Sequence, residues 1–312
     1  MRIAALIDPT ARGAFFAQTT EVALAELAAW RPGLRAEQKA IGPLAFLELE
    51  VDEASLPALA RRSFVQGLFA VEGATLRPLE VAPAYGLPEA LVADRYRGKT
   101  HERVTQLAVQ LAIDACEVEG GPSSLLDPMA GRGTTLWWAA RHGLSSVGVE
   151  QDAASLEALH RHGKRQTKLL RLSHRAEKGS VGKKRRDGVG RYVGFRFDEV
   201  RLRLVTGDTR EVSTLLQGQR FDLVVTDLPY GIQFRGGAQR LVDLVRAAIP
   251  GWVASLRPGG AMAVVFNTYQ PTRAQLVESL VAEGCRVRPF EAPHRMSESI
   301  VRDVVLAVRP RS

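Results

Sequence analysis

Two stretches of the chain carry residue types able to do chemistry. In Leu125-Leu126-Asp127-Pro128-Met129-Ala130-Gly131-Arg132-Gly133-Thr134-Thr135, an apolar strand runs into a turn with two glycines, and a helix starts at Thr134. Glycine has no Cβ, so backbone N–H groups in such a turn can approach a ligand, and the helix adds its positive dipole end. Strand, glycine turn and helix together open a nucleotide-type binding unit. A Walker phosphate loop needs a lysine after the last glycine, and none follows Gly133. A dinucleotide fingerprint needs a third Gly or Ala, where this chain has Leu136. A tight turn without a ligand is the plain alternative. Glu150 ends the next strand (Ser146–Val149), seventeen positions after Gly133. Its two acceptor oxygens suit the two hydroxyls of a ribose. The second stretch, Asp227-Leu228-Pro229-Tyr230-Gly231, follows a buried strand over Phe221–Thr226.

Asp127-x-x-x-Gly131-x-Gly133-Thr134-Thr135 resembles the first motif of the S-adenosyl-L-methionine (SAM)-dependent methyltransferases that modify amino nitrogens. Asp227-Leu228-Pro229-Tyr230 resembles their [DNS]-P-P-[YFW] tetrad, and with Gly231 it is most similar to the THUMP-linked tRNA guanine-N2 enzymes. The resemblance covers residues 95–312 and touches the first domain only through the short run Arg61-Arg62-Ser63-Phe64-Val65, which reads equally as packing or RNA contact. It implies a class I, Rossmann-like α/β fold: a doubly wound, mostly parallel seven-stranded sheet. It implies SAM as cofactor, held by Asp127, Met129, Ala130, Gly131, Gly133, Thr134, Glu150 and Asp227. Asp208, after the strand Val200–Val205, would take the adenine amino group. Lys99 and Thr100 would touch the methionine end, unless Thr100 only caps the helix Glu102–Cys116.

An exocyclic amine is a poor nucleophile because its lone pair is delocalised into the base. The tetrad answers this by accepting both N–H groups, on the Asp227 carboxylate and the Leu228 carbonyl. Pro229 stiffens the turn and Tyr230 offers a face on which an extruded base can stack, worth roughly 1–3 kcal/mol. Many relatives have Pro where this chain has Leu228, but the position acts through its carbonyl. The implied reaction is methyl transfer to an exocyclic amine in RNA, with guanosine N2 in tRNA as the specific expectation. DNA and small-molecule amines remain open, as does a non-catalytic RNA-binding protein with a vestigial SAM fold. A P-loop around Lys99 is a weaker rival.

The elements that must position these residues fit a 312-residue chain with a large core. Apolar content of 46% with 24% charged residues is ordinary for a globular protein. No apolar run approaches the roughly 20 residues of a membrane helix. The start Met1–Pro9 reads as a strand, not a secretory signal. Cys116 and Cys285 can build neither a disulfide framework nor a four-cysteine zinc site, so no metal and a cytoplasmic setting are expected. The net charge is +8, concentrated between Arg161 and Arg191, where twelve lysines and arginines face only Glu177 and Asp187. Around Lys183-Lys184-Arg185-Arg186 and the glycines Gly179, Gly182, Gly188 and Gly190, the middle of this insert is expected to be a mobile loop. It is either a solvated charge run or a phosphate-binding arm for RNA.

Residues 1–82 read as a small α+β domain that could dock substrate. The pattern gives strands at Ile3–Ile7, Leu44–Val51 and Ser63–Val71 and helices at Ala14–Trp30 (with Phe15, Phe16, Val22, Leu24 and Leu27 inward) and Leu56–Arg62. A linker follows near Pro83, Gly86 and Pro88. In the domain 95–312, helix Ala153–Leu159 ends before the insert and Tyr192, Phe195 and Phe197 form an extra strand. A helix Leu241–Ser255 is interrupted at Pro250-Gly251, and Arg257–Gly260 is a turn before strand Ala261–Phe266. Helix Arg273–Glu283 and a closing pair of strands near Arg286–Phe290 and Asp303–Val308 finish the sheet. The segment Ala292–Arg302 would border the substrate opening, with His294 at the surface.

Overall fold

The computed structural model describes residues 1–8, 18–81, 85–92, 102–182, 186–229, 238–297 and 300–311. Lys99, Thr100, Lys183, Lys184, Arg185, Tyr230, Phe15 and Phe16 therefore lie outside the described residues, as does Pro83. The chain groups into two units: Met1–Ala84 with Pro289–Val304, and Tyr85–Arg288 with Val305–Ser312.

The first unit contains β1 (Arg2–Ile7), α1 (Thr19–Trp30), β2 (Ala36–Ile41), β3 (Leu44–Glu50), α2 (Leu56–Ala60), β4 (Val65–Glu72) and β5 (Thr75–Pro78). The strands form one antiparallel sheet in the order β2-β3-β1-β4-β5. Alternating Ile3, Ala5 and Ile7 face Leu47, Leu49 and Leu68 in a core closed by Ala23 and Leu27 of α1. The helix buries Leu27 as its sequence suggests, but Leu24 is exposed and Glu26 is fully buried. Glu26 is held there by Ser63, whose N–H and hydroxyl both donate to its carboxylate. Arg62, Ser63 and Phe64 are all buried, and the Arg62 guanidinium lies 4.8 Å over the Trp30 ring. Of the two readings of that run, packing is the one the structure supports.

The second unit begins with α3 (Glu102–Ala115) and then β6 (Ser124–Asp127), α4 (Thr134–Arg141), β7 (Ser145–Glu150), α5 (Ala153–Leu169), β8 (Arg175–Ser180), β9 (Arg191–Phe197) and β10 (Val200–Thr206). It continues through α6 (Val212–Leu215), β11 (Phe221–Asp227), α7 (Ala238–Ala254), β12 (Leu256–Asn267), α8 (Arg273–Ala282) and β13 (Arg286–Arg288). β14 (His294–Ser297), which belongs to the first unit, and β15 (Ile300–Val308), which is divided between the units at Val304, close the chain. The sheet runs β13-β15-β12-β11-β6-β7-β10-β9-β8, with β14 paired to β15. Five neighbouring strands, β10, β7, β6, β11 and β12, are parallel. With β15 and β13 they make the expected doubly wound, mostly parallel sheet.

Ten strands rather than seven result from additions at the ends. Helix and strand flank the middle of the basic insert, and its described residues between β8 and β9 belong to neither. Helix α5 runs on to Leu169, because Gly163 and Thr167 continue its buried face beyond Leu159. A Cβ at Gly163 would stand 2.3 Å from the Phe195 ring, so only glycine lets the helix approach β9. β8 then pairs along β9 through its backbone, with no apolar alternation to announce it. The turn back is pinned by Val181 N–H to Gly190 O (2.8 Å) and Gly190 N–H to Thr206 O (2.7 Å).

Three further expectations are corrected. Pro250 does not interrupt α7. An internal proline costs about 3 kcal/mol, whereas Val245, Ile249, Trp252 and Val253 on the same helix are buried at roughly 1.5–3 kcal/mol each. Arg257-Pro258-Gly259-Gly260 lies within β12, absorbed by a register shift opposite Phe221 and Leu223. His294 is buried, not a surface residue; its Nδ1 lies 2.8 Å from Ala292 O within the hairpin that β14 makes with β15.

Candidate active site

In a doubly wound sheet, ligands bind beyond the carboxyl ends of the strands, where the chain reverses its direction of winding. Here the chain winds from β6 out to β10 and then returns to β11 on the other side of β6. The reversal lies between β6 and β11. Asp127 ends β6, Glu150 ends β7, Asp208 follows β10 and Asp227 ends β11. Parallel pairing brings all four carboxylates to the same edge of the sheet.

The glycine turn is built for close approach. Gly131 (φ +52°) and Gly133 (φ +84°) are both left-handed, and a side chain at Gly131 would meet nothing within 4 Å. Gly133 is different: its Cβ would lie 2.4 Å from Leu159 Cδ1, so its absence serves packing. Gly133 is the N-cap of α4 and supplies no side chain to the first N–H groups of that helix. Ala130 is buried, Met129 leans on the core and Thr134 is half-buried. Gly148, which the sequence did not single out, matters as much: a Cβ there would meet Ala130 Cβ at 2.6 Å. It lets the turn settle on β7, where Ala130 N–H donates to Val149 O at 3.0 Å.

Glu150 is fastened at both oxygens. Oε2 accepts the Gly131 N–H at 2.9 Å and Oε1 accepts the Asp152 N–H at 2.8 Å. Each oxygen keeps a second lone pair, so two hydroxyls can still be taken. Asp152 itself caps α5, accepting the Ala154 N–H at 2.9 Å.

Asp127 is buried, and burial is the main reason its carboxyl is pushed up to about 7. Thr135, the Met129 N–H (3.1 Å to Oδ1) and, at looser geometry, Thr226 draw it down, while the charge of Asp227 raises it. The two acids at the reversal point thus feel one another. Leu228 is buried in the core between α7 and the sheet, and its N–H donates to Val265 O at 2.9 Å. Its side chain is a packing group. Asp227 and Pro229 are half-buried.

Asp208 is already engaged. Arg210 grips its carboxylate through Nε (3.0 and 3.1 Å) and a second nitrogen, and the Arg210 N–H donates to Oδ1 at 2.9 Å. These bonds hold the carboxyl below its usual range. The turn carrying both is anchored by Trp252, whose Nε1–H donates to Thr209 Oγ1 at 2.9 Å. Nothing in the sequence around Asp208 marked Arg210 as its partner. Of the predicted nucleic-acid contacts, Arg186 is described and is exposed.

The residues fit SAM in shape and polarity: an open left-handed glycine, a carboxylate with two spare lone pairs, and a further acid beyond β10. No family model and no curated protein matches the chain. Among solved structures it is similar to TrmN from Thermus thermophilus (18% identity, 89% of this chain and 60% of that one, TM-score 0.47). It is also similar to the T. thermophilus 16S rRNA N2 G1207 methyltransferase RsmC, solved with AdoMet and guanosine (20%, 94% and 62%, TM-score 0.42). A TehB-like SAM-dependent methyltransferase from Corynebacterium glutamicum is a third (12%, 60% and 80%, TM-score 0.37). The chain thus spans about three fifths of the length of the first two.

Proposed function

We propose that this protein transfers a methyl group from SAM to an exocyclic amino nitrogen of a nucleobase in RNA, with guanosine N2 in tRNA as the acceptor. One observation carries the reading: the glycine turn with Glu150 and the Asp227-Leu228-Pro229 segment flank the same reversal point of a parallel sheet.

Bound SAM supplies an activated methyl on a sulfonium. Gly131, Glu150 and Asp208 would hold it, with Asp127 bracing the turn through the Met129 N–H. Asp227 Oδ and the Leu228 carbonyl accept the two N–H groups of the acceptor amine, which frees its lone pair to turn toward the methyl. Pro229 limits the freedom of that carbonyl. Most of the acceleration comes from this orientation. Asp227 then accepts the departing proton, directly or through water. Lys99 and Thr100 are proposed as cofactor contacts and Tyr230 as the stacking partner of the base. The first unit and the basic segment dock the RNA.

Calorimetry with SAM and S-adenosylhomocysteine, and mass spectrometry of nucleosides from cells lacking the protein, test the reading. Binding of both ligands and loss of one N-methylated nucleoside are expected. Binding of neither would overturn it in favour of a non-catalytic RNA-binding protein.

A further inference from the structure

We infer that the RNA is gripped by an arginine face on the strands added at the β8 end of the sheet, and not only by the basic run Lys183-Lys184-Arg185-Arg186. This inference rests on the reading that the acceptor is RNA.

β8, β9 and β10 form an antiparallel extension. Phe195 and Phe197 point to the side where α5 packs, against His160 and His174. Period-two alternation sends Arg175, Glu177, Tyr192, Arg196, Arg201 and Arg203 to the opposite side, and cross-strand pairing groups them: Arg175 sits beside Arg196, and Arg196 beside Arg201. Four arginines face one glutamate. Asp198 and Glu199 in the β9–β10 turn bound the group at one end.

The face is flat because two of its positions are glycine. A Cβ at Gly179 would lie 2.7 Å from the Tyr192 hydroxyl, and one at Gly194 would meet the backbone of β10 at Leu202 O (2.3 Å) as well as Arg203 Cγ (3.0 Å). Tyr192 and Arg203 therefore lie down across the strands, with the Arg203 guanidinium 4.6 Å from the centre of the Tyr192 ring. Glu177 fixes two guanidinium groups, with Arg201 at 3.3 Å and Arg203 at 3.2 Å. Held this way, the arginines lose little side-chain freedom on binding. Arg196 is tied by its Nε to Asp198 O at 2.8 Å. Arginine forks match phosphate oxygens in pairs. A positively charged sheet face fits a strand of phosphates, and with the acceptor read as RNA the occupant of this face is RNA.

The test uses the full chain and a fluorescein-labelled, unmodified tRNA transcript. The variant Arg175→Gln with Arg196→Gln leaves the Glu177 cluster intact; Arg201→Gln with Arg203→Gln removes the cluster. The paired change Arg286→Gln and Arg288→Gln, at the opposite end of the sheet, controls for net charge. Each test pair is expected to weaken tRNA binding about tenfold near physiological salt and to reduce the slope of log K against log [salt] by about 1.5. SAM affinity stays unchanged and the control matches wild type. Arg175→Lys with Arg196→Lys should restore most of the slope. Wild-type affinity and slope in the first pair would overturn the arginine face while leaving the enzymatic reading in place. A wild-type protein that binds SAM but no tRNA would overturn the RNA reading and this surface with it. Equal binding of duplex DNA, equally lost in the variants, would overturn the assignment to RNA.

Discussion

Glu150 Oε2 accepts the Gly131 N–H at 2.9 Å, so the acid at the end of one strand holds the glycine turn that leaves the next. The residue assigned to the ribose and the residue assigned to close cofactor approach are therefore one mechanical unit.

Glu150→Gln replaces one acceptor with an amide nitrogen that faces a backbone N–H. Loss of a hydrogen bond to a charged group corresponds to roughly a tenfold or greater change. Calorimetry should show SAM affinity falling by at least that factor, and Tm should fall as well, because the lost bond also fastens the glycine turn. An unchanged affinity would remove Glu150 from the cofactor site.

Arg210 occupies the carboxylate assigned to the adenine amino group. Arg210→Gln should therefore tighten SAM binding by roughly two- to fivefold, the size of an exposed ion pair, while Asp208→Ala weakens it. Weaker binding in Arg210→Gln would mean that the arginine itself contacts the cofactor.

Asp127 links pH to stability. Its carboxyl ionises near 7 in the folded protein, against an ordinary value of 3.8. Between those values the folded state carries a proton that the unfolded state has released. This group's contribution is full below about pH 4 and is lost as pH rises through 7, by at most about 4 kcal/mol. Urea melts at pH 5 and pH 8 should show a slope that Asp127→Asn flattens; equal slopes in the two proteins would contradict the assignment.

Asp227→Ala removes one of the two acceptors for the amine. Methyl transfer under single-turnover conditions should fall by roughly 10²- to 10³-fold. SAM affinity should stay within a small factor. Turnover at the wild-type rate would defeat the role.

Asp222 joins the two strands that flank the reversal point. It is fully buried at the start of β11. Burial alone would raise its pKa, yet the N–H and hydroxyl groups of Ser123 and Ser124, with Arg257 at 2.8 Å, hold the carboxyl below the usual range. Its contribution is present above the unfolded pKa and lost as pH falls through the lower folded value. Asp222→Ala strands those buried donors and should cost about 3 kcal/mol in urea denaturation. Arg257→Gln should cost less, because Arg257 is half exposed. Equal losses would show that the ion pair, not the serine contacts, does the holding.

The sequence by itself determined what depends on neighbours along the chain. Buried parallel strands read as apolar runs, and the glycine turn after Leu126 and the Asp-x-Pro step after Thr226 read as strand ends, because local residue types dictate both. Only the tertiary structure decided what depends on cross-strand partners. β8 has no apolar alternation and exists because β9 offers it a backbone ladder. α5 outruns its leucine pattern because Gly163 meets Phe195, and α7 continues through Pro250 because its buried face outweighs one lost bond. Arg210 on Asp208, Gly148 under Ala130 and the arginines brought side by side on β8–β10 share that reason. Each arises from a distance in space that spacing along the chain does not encode.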